Sequence, residues 1–400
     1  NVMDYTIVSA DSHVDMSWLP GDLFVNNCKN PALLDQMPRI IETEKGLIWM
    51  AEGDNELGVA QSAGFEFIPP QKGRRNRTDK MIDAGFYDGP ARPVDPELRF
   101  KDMTLDSVDC EILYGITGAG KNLKDLAVVT EVYRIYNDWV DQFGASKPGR
   151  WYGTACMPFH DPNVAADEMR RVKDHEYIRG ADLMVGPLCR PLYSRDGYWD
   201  PVWSACVDTK IPVSFHIGWS RIPIQEMENM ETKIWASEYN QNELGFQAVR
   251  GSLGMYSMVQ HMMALIFSGA LDKYPDLRFV MAESGTGWVP FALTRMDHIF
   301  EDAMLQGKLQ EPAMTMKPSE YWFRNGFTTF QEEESAGAMA HLVGIDNVMW
   351  GSDYPHPDSV WPDSLEKIEE ALGNLDEHSR KKIVRDNAME LYNIGSARRK

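Results

Sequence analysis

Eight short apolar runs alternate with helix-like segments along this chain, and no other sequence feature constrains its fold as strongly. The runs are nearly continuous in apolar residues, which is typical of parallel strands covered on both faces. Eightfold strand–helix alternation predicts an α/β fold, a (β/α)₈ TIM barrel. The runs cover residues 5–10, 109–114, 151–157, 180–185, 211–217, 278–282, 326–330 and 347–350.

A doubly wound open sheet is the structural alternative, because it is built from the same alternation of strands and helices. Such sheets commonly carry a G-x-G-x-x-G turn after an early strand, where a dinucleotide binds. No turn of this kind follows an early run in this sequence. The barrel is therefore our prediction, with residues 1–400 forming a single domain.

A long stretch without a clear repeating pattern, about 16–95, separates the first predicted strand from the second. It contains two adjacent prolines, at positions 69 and 70. Structureless loops longer than about 15 residues are uncommon in compact domains, so this insertion is more than a loop. We expect it to form a lid or cap over the barrel mouth.

Charge and cysteine content narrow the range of partners. The formal net charge of -20 argues against nucleic acid and anionic membrane surfaces. The five cysteines form no C-x-x-C pair, which predicts reduced thiols and a cytoplasmic location. No signal-like start and no apolar run of bilayer length is seen, so we expect no membrane association. The partner that we expect is a small-molecule substrate.

Polar side chains follow several of the predicted strands at the point where each strand ends. Active sites of TIM barrels lie at these C-terminal ends, so the side chains are expected to meet at one mouth. Two imidazoles and two carboxylates suit Zn²⁺ or Mn²⁺, with an open coordination position for water. The side chains are Asp11 and His13 after strand one, His216 after strand five, Glu283 after strand six, and Asp353 with His356 after strand eight.

Each of these residues also has a simpler interpretation. The alternatives are a helix N-cap for Asp11, a core histidine for His216, an ion pair with Arg278 or Arg295 for Glu283, and a loop cap for His356. Their joint placement at one barrel face favours a shared site. A bound metal would acidify water or polarise a substrate oxygen, and Glu283 would move protons.

Three further residues are candidates for substrate binding. Trp219 and Trp288 follow predicted strand ends directly, so we expect them to line an apolar pocket. Arg190 follows strand four and is the candidate for a substrate carboxylate.

Six stretches resemble the amidohydrolase superfamily, specifically the amidohydrolase-2 branch typified by aminocarboxymuconate-semialdehyde decarboxylase. They span nearly the whole chain in an order that fits the barrel. The stretches are SADSHVD (9–15), RFKDMTLDSVDCEILY (99–114), YNDWVDQF (136–143), YWDPVWSACVDTKIPVSFHIG (198–218), LIFSGALDKYPDLRFVMAESGTGWVPFALTRMD (265–297) and NVMWGSDYPHPD (347–358).

The resemblance implies a homodimer with one divalent metal ion, usually Zn²⁺ and sometimes Mn²⁺, held by Asp11, His13, His216 and Asp353. It also implies a proton-transfer role for Asp353. The chain departs from the decarboxylase pattern twice. Asp11 stands where His or Glu is usual, and Glu283 stands where a His assists the substrate. His356 is a candidate to take over that second role.

The leading functional hypothesis is nonoxidative decarboxylation of a hydroxylated aromatic or unsaturated carboxylic acid. The metal would hold the carboxylate and an adjacent oxygen while Asp353 or Glu283 protonates the carbon. The alternative is hydrolysis of an ester, thioester, lactone or amide by metal-activated water, which Glu283 suits at least as well. A third interpretation, a metal-stabilised binding scaffold, is disfavoured by the open coordination position.

Overall fold

The computed structural model describes residues 5–61, 76–88, 91–186, 189–218, 248, 252–302 and 314–395. Within these ranges the chain forms eleven strands. They are β1 (Val8–His13), β2 (Arg39–Thr43), β3 (Gly46–Ala51), β4 (Asn55–Val59), β5 (Cys110–Tyr114), β6 (Trp151–Met157), β7 (Ile178–Leu183), β8 (Val213–His216), β9 (Phe279–Ala282), β10 (Gly326–Phe330) and β11 (Val348–Trp350).

Eight of these strands form one sheet in the order β1-β5-β6-β7-β8-β9-β10-β11, and every neighbouring pair is parallel. Backbone bonds just beyond β11 join the two edges of this sheet. The Asp353 N–H donates to the Asp11 carbonyl at 2.9 Å, and the His13 N–H donates to the Tyr354 carbonyl at 2.8 Å. We call this junction of β1 and β11 the closing seam. The (β/α)₈ barrel prediction is confirmed.

The closing seam depends on small side chains. A Cβ atom on Gly351 would lie 2.5 Å from the Cβ of Asp11 and 2.9 Å from its backbone nitrogen, closer than folded chains allow. The hydroxyl groups of Ser9, Ser12 and Ser352 lie beside one another, 2.9 to 3.3 Å apart. The absence of a side chain at position 351 therefore lets β11 approach the backbone that carries Asp11.

Helices alternate with the barrel strands. Asp95, Asp125 and Asp161 cap three of them by accepting hydrogen bonds from first-turn N–H groups. No described helix has the length and apolar content to cross a bilayer. The α-helices are α1 (Leu23–Asn27), α2 (Asn76–Asp83), α3 (Pro96–Leu105), α4 (Leu126–Ser146), α5 (Pro162–Val172), α6 (Asp200–Thr209), α7 (Ser257–Phe267), α8 (Ala270–Lys273), α9 (Val289–Glu301), α10 (Pro318–Asn325), α11 (Ala336–Val343), α12 (Ser364–Leu372), α13 (Glu377–Lys381) and α14 (Asn387–Leu391), with a π-helical segment at Lys382–Asp386.

The core has an outer and an inner layer. The outer layer lies between strands and helices, where the rings of Phe143 and Trp151 stack with centroids 4.7 Å apart. The inner layer lies inside the barrel and includes Val8, Ile112 and Met349, with Tyr392 from the C-terminal end of the chain packed against it.

Some element boundaries differ from a simple reading of the sequence. The helical segment that starts at Ser257 is interrupted, because Gly269 adopts a left-handed φ of 81° between α7 and α8. The first strand begins at Val8 and continues to His13, beyond the predicted 5–10. It continues because its polar end still pairs with β5, with Ser12 opposite Leu113 and His13 opposite Tyr114.

The insertion after β1 contains a small antiparallel sheet that the sequence pattern did not predict. Its order is β2-β3-β4. The Glu52 carboxylate accepts hydrogen bonds from the backbone N–H groups of Lys124 and Asp125, and the Asn55 amide donates to the Asn122 carbonyl. The small sheet is therefore fastened to the start of α4. Residues 62–75 and 89–90 lie outside the described ranges, and the role of the insertion as a lid stays a prediction.

Candidate metal centre

The C-terminal ends of four barrel strands bring six ionisable side chains together in one buried group, here called the mouth cluster. Their exposed fractions run from 0% for His13 and Asp353 to 9% for His356. Charged groups this deeply buried require a counter-charge, because they have lost their hydration. The mouth cluster consists of Asp11 and His13 in β1, His216 at the end of β8, Glu283 after β9, and Asp353 and His356 after β11.

Two imidazole nitrogens of the mouth cluster converge on carboxylate oxygens. The Nε2 atom of His13 lies 3.1 Å from Asp353 Oδ1 and 3.3 Å from Asp11 Oδ1. The Nε2 atom of His216 lies 3.4 Å from the same Asp11 oxygen and 3.3 Å from Glu283 Oε2. The Nδ1 atom of His216 lies 2.8 Å from the Ile217 carbonyl, which can only accept, so Nδ1 carries the proton. The Nε2 atom then presents a lone pair, as a metal ligand must.

Two carboxylate oxygens of the mouth cluster have no hydrogen-bond donor among the described residues. They are Oδ1 of Asp11 and Oδ2 of Asp353, and both atoms are buried. Buried polar atoms nearly always have a partner, and a divalent cation would supply one here. The residues therefore fit a metal, with two overlapping sets of candidate ligands: Asp11, His13 and His216, and His13, Glu283, Asp353 and His356.

The pKa values in the mouth cluster diverge. Burial alone would raise the pKa of Asp11 and Asp353, but the neighbouring imidazoles hold both below the usual range. Burial, reinforced by the charges of Asp353 and Asp11, raises the pKa of Glu283 well above its usual value. Burial would lower the pKa of His13, but the nearby carboxylates of Asp11, Asp15 and Asp353 raise it. Because metal ligands must be deprotonated, protons compete with a cation for this site.

His356 connects two carboxylates. Its Nδ1 atom lies 2.9 Å from Asp353 Oδ1, and its Nε2 atom lies 2.9 Å from Asp15 Oδ2. Burial would lower the pKa of His356, but the carboxylates of Asp353 and Asp15 raise it to about 10. Both ring nitrogens face acceptors, so the arrangement makes His356 a support for Asp353.

Asp15 is an additional site residue that was not among the candidates predicted from the sequence. Its Oδ1 atom lies 3.7 Å from His13 Nδ1, while its Oδ2 atom contacts His356. A signal was present, because positions 11, 13 and 15 continue the alternation that places side chains on one side of an extended chain. Asp15 therefore orients two imidazoles at once.

Two members of the mouth cluster have left-handed backbones. The φ angles are 54° at Glu283 and 58° at Asp353. Non-glycine residues in this region cost about 1–3 kcal/mol each and are concentrated at functional sites. Glu283 does not form the ion pair with Arg278 that was considered as an alternative, since the Arg278 guanidinium donates to the carbonyls of Pro275 and Leu277.

A buried arginine supports the ligand-bearing strand from behind. Arg99 is completely buried and donates from Nη1 to the His13 carbonyl at 2.9 Å. Its Nε atom donates to Glu111 Oε2 at 2.7 Å, and its guanidinium lies 4.9 Å from the centre of the Tyr354 ring. Arg99 thus contacts both sides of the closing seam.

The predicted substrate-binding residues lie in different settings. Trp288 is half-buried and donates from Nε1 to the Ser284 carbonyl at 2.8 Å. Arg190 forms an exposed ion pair with Asp196. Trp219 lies outside the described residues. An unpredicted neighbour is Trp18 from the insertion, a buried ring whose centre lies 6.4 Å from that of His356. The substrate roles of Arg190, Trp219 and Trp288 stay predictions.

Comparison with known proteins confirms the resemblance noted in the sequence. The amidohydrolase family model matches residues 65–394. Gamma-resorcylate decarboxylase from Rhodococcus jostii is 25% identical over 334 residues, covering 78% of this chain and 93% of the relative.

Solved structures show the same fold. An amidohydrolase from Mycobacterium avium subsp. paratuberculosis has a TM-score of 0.74 at 18% identity, covering 98% of this chain and 100% of that chain. A dihydroxybenzoic acid decarboxylase from a Polaromonas species, with bound manganese and the inhibitor 2-nitroresorcinol, has a TM-score of 0.60 at 24% identity and covers 81% of this chain and 95% of that chain.

Proposed function

This chain belongs to the amidohydrolase family, and we propose that it is a metal-dependent decarboxylase of an aromatic carboxylic acid. One observation carries the proposal. The Nε2 atoms of His13 and His216 converge on the carboxylates of Asp11 and Asp353 at the barrel mouth. Relatives that share most of the chain are gamma-resorcylate decarboxylases, so hydroxylated benzoic acids are the substrates to test first.

Four residues would hold the metal: Asp11, His13, His216 and Asp353. A divalent ion bound there supplies a Lewis acid for the substrate carboxylate and an adjacent oxygen. The family resemblance of the sequence favours zinc over manganese. Carboxylate-rich ligation suits Mn²⁺, and a related decarboxylase binds manganese, so our proposal places Mn²⁺ first. Metal analysis of protein purified without chelator is expected to give about one divalent ion per chain. Protein that takes up no divalent ion would refute the site.

Decarboxylation consumes one proton, which is delivered to the ring carbon that carries the carboxyl group. A pair of ring π electrons forms the new C–H bond, and the electrons of the broken C–C bond return to the ring as CO₂ leaves. We assign this proton to the Glu283 carboxyl group, because burial and the charges of Asp353 and Asp11 raise its pKa and so favour its protonated form. Asp353 has a lowered pKa and is assigned to ligation, while His356 and Asp15 hold its orientation.

Two isosteric variants separate these roles. Glu283→Gln is expected to keep the metal and to lose about 100-fold or more in kcat, since general acids contribute about 10²–10⁴-fold. Asp353→Asn is expected to lose the metal and turnover together. If Glu283→Gln lost the metal while Asp353→Asn kept it, the assignment of ligand and acid would be reversed.

Hydrolysis of an ester, thioester, lactone or amide is the second candidate function. The observation that favours it is the Glu283 carboxylate, 3.3 Å from His216 Nε2, which could serve as a base for water when ionised. The test is a panel of hydroxylated benzoic acids assayed for CO₂ release beside a panel of esters, thioesters, lactones and amides. Turnover in the second panel without CO₂ from any acid would overturn the decarboxylase proposal.

We also propose a cytoplasmic homodimer that acts on a small molecule. All five cysteines are free thiols, which supports a reducing compartment. Size-exclusion chromatography with light scattering is expected to give the mass of two chains. A single-chain mass at every concentration would refute the dimer.

A further inference from the structure

Strand β10 contributes no residue to the mouth cluster, but one of its hydroxyl groups contacts two of the cluster's members. Thr329 is completely buried, and its Oγ1 atom lies 2.7 Å from Asp11 Oδ2 and 2.6 Å from the backbone nitrogen of Glu283. An N–H group can only donate, and an ionised carboxylate can only accept. The hydroxyl therefore accepts a hydrogen bond from the Glu283 N–H and donates its own hydrogen bond to the Asp11 carboxylate.

This direction of bonding decides which oxygen of Asp11 remains for a metal. Oδ2 accepts the hydrogen bond from Thr329, whereas Oδ1 has no hydrogen-bond donor among the described residues. Oδ1 is also the oxygen that faces the imidazoles, 3.3 Å from His13 Nε2 and 3.4 Å from His216 Nε2. The hydrogen bond from Thr329 occupies one lone pair of Oδ2 and leaves Oδ1 as the better placed oxygen of Asp11 for a metal.

We propose that Thr329 is a positioning residue that makes Asp11 a single-oxygen metal ligand through Oδ1 and fixes Glu283 beside it. The inference rests on the metal site of the proposed function. The bond from the Glu283 N–H also stabilises the left-handed backbone at that residue, where φ is 54°. The Thr329 hydroxyl group thus positions both the proposed ligand Asp11 and the proposed proton donor Glu283, although β10 itself contributes neither residue.

The neighbouring residue provides a matched control. Thr328 is equally buried in β10, and its hydroxyl donates to the Gly285 carbonyl at 2.7 Å and lies 2.9 Å from the Ser284 hydroxyl. These partners lie outside the mouth cluster. Thr328→Val removes the same buried group from the same strand as Thr329→Val, so a purely structural cost appears in both variants.

The experiment measures Mn²⁺ affinity directly, by competition with a fluorescent chelator on metal-free protein. Loss of an outer hydrogen-bond partner typically weakens metal binding about 10–100-fold, and this is the increase in Kd expected for Thr329→Val. Thr329→Ser, which keeps the hydroxyl, and Thr328→Val are expected to stay within about threefold of the wild type. In Thr329→Val, kcat at saturating Mn²⁺ is expected to fall as well, because Glu283 loses its backbone partner.

The possible outcomes distinguish failure of the Thr329 proposal from failure of the proposed function. Wild-type protein that binds no Mn²⁺ would remove the metal site and the inference with it. Wild-type binding with an unchanged Kd in folded Thr329→Val, or an equal loss in Thr328→Val, would overturn the inference alone. Thermal unfolding of the metal-free proteins reports folding. Should Thr329→Val fail to fold, Thr329→Ala removes the hydroxyl without adding a methyl group and gives the same test.

Discussion

Replacing Arg99 with methionine tests whether the barrel's buried charges hold the closing seam. Arg99 and Glu111 are 0% and 1% exposed and are joined by a 2.7 Å hydrogen bond. Methionine keeps most of the apolar side-chain length but leaves the Glu111 carboxylate buried without its cation. Removing one member of a buried ion pair costs about 3–5 kcal/mol, so the free energy of unfolding should fall by that amount. A fall of about 4 kcal/mol is roughly a thousandfold in the unfolding equilibrium.

Urea unfolding of the metal-free protein, followed by tryptophan fluorescence, measures this loss. The double variant Arg99→Met with Glu111→Leu is the control, because replacing both charges by apolar groups removes the unpaired carboxylate. It should recover much of the stability lost in the single variant. A loss below about 1 kcal/mol in Arg99→Met would refute the reasoning, since ordinary surface substitutions cost that little.

Three further predictions concern the seam, the pH dependence of stability and the metal. Gly351→Ala should weaken Mn²⁺ binding and lower the melting temperature, because the new Cβ would lie 2.5 Å from the Cβ of Asp11; unchanged affinity would contradict the close approach. Burial raises the pKa of Asp106 to about 7 against its hydrogen bonds to Ser364, so the folded state holds a proton that the unfolded chain releases near pH 4. In the wild type this group should therefore make the melting temperature fall as the pH rises from about 4 to about 7. The isosteric Asp106→Asn should lose this contribution to the pH dependence; plots of melting temperature against pH that run parallel for the two proteins would contradict it. Removing metal with a chelator should lower the melting temperature, since a ligand at 100 times its Kd stabilises a protein by about 2.7 kcal/mol; an unchanged melting temperature would mean that no metal was bound.

The sequence was sufficient to predict the barrel and the strand ends that meet at its mouth. Periodicity marks each strand, and in a parallel barrel all C-terminal ends face one way, so the placement of His216 and Asp353 follows from strand positions alone. The structure brings Asp11, His13, His216, Glu283 and Asp353 together as that reasoning requires. The meeting of these strand ends does not depend on the details of side-chain packing.

The remaining features depend on contacts between distant segments. Glu52 attaches the small β2-β3-β4 sheet to the start of α4. The local sequence pattern around Glu52 does not indicate this distant partner. The bridge from Asp353 through His356 to Asp15 crosses from the last barrel strand to the first. Thr329 has no distinguishing feature in the sequence, because its proposed role depends on the contacts of its hydroxyl with Asp11 and Glu283.

The closing seam links the order of the strands in the chain to metal binding. Among the barrel strands, β1 comes first in the chain and β11 comes last. The proposed ligands Asp11 and His13 therefore meet Asp353 only when the intervening barrel strands are in place and the seam has closed. A metal ion at this site would accordingly bind late in folding and would link the first strand of the barrel to the last.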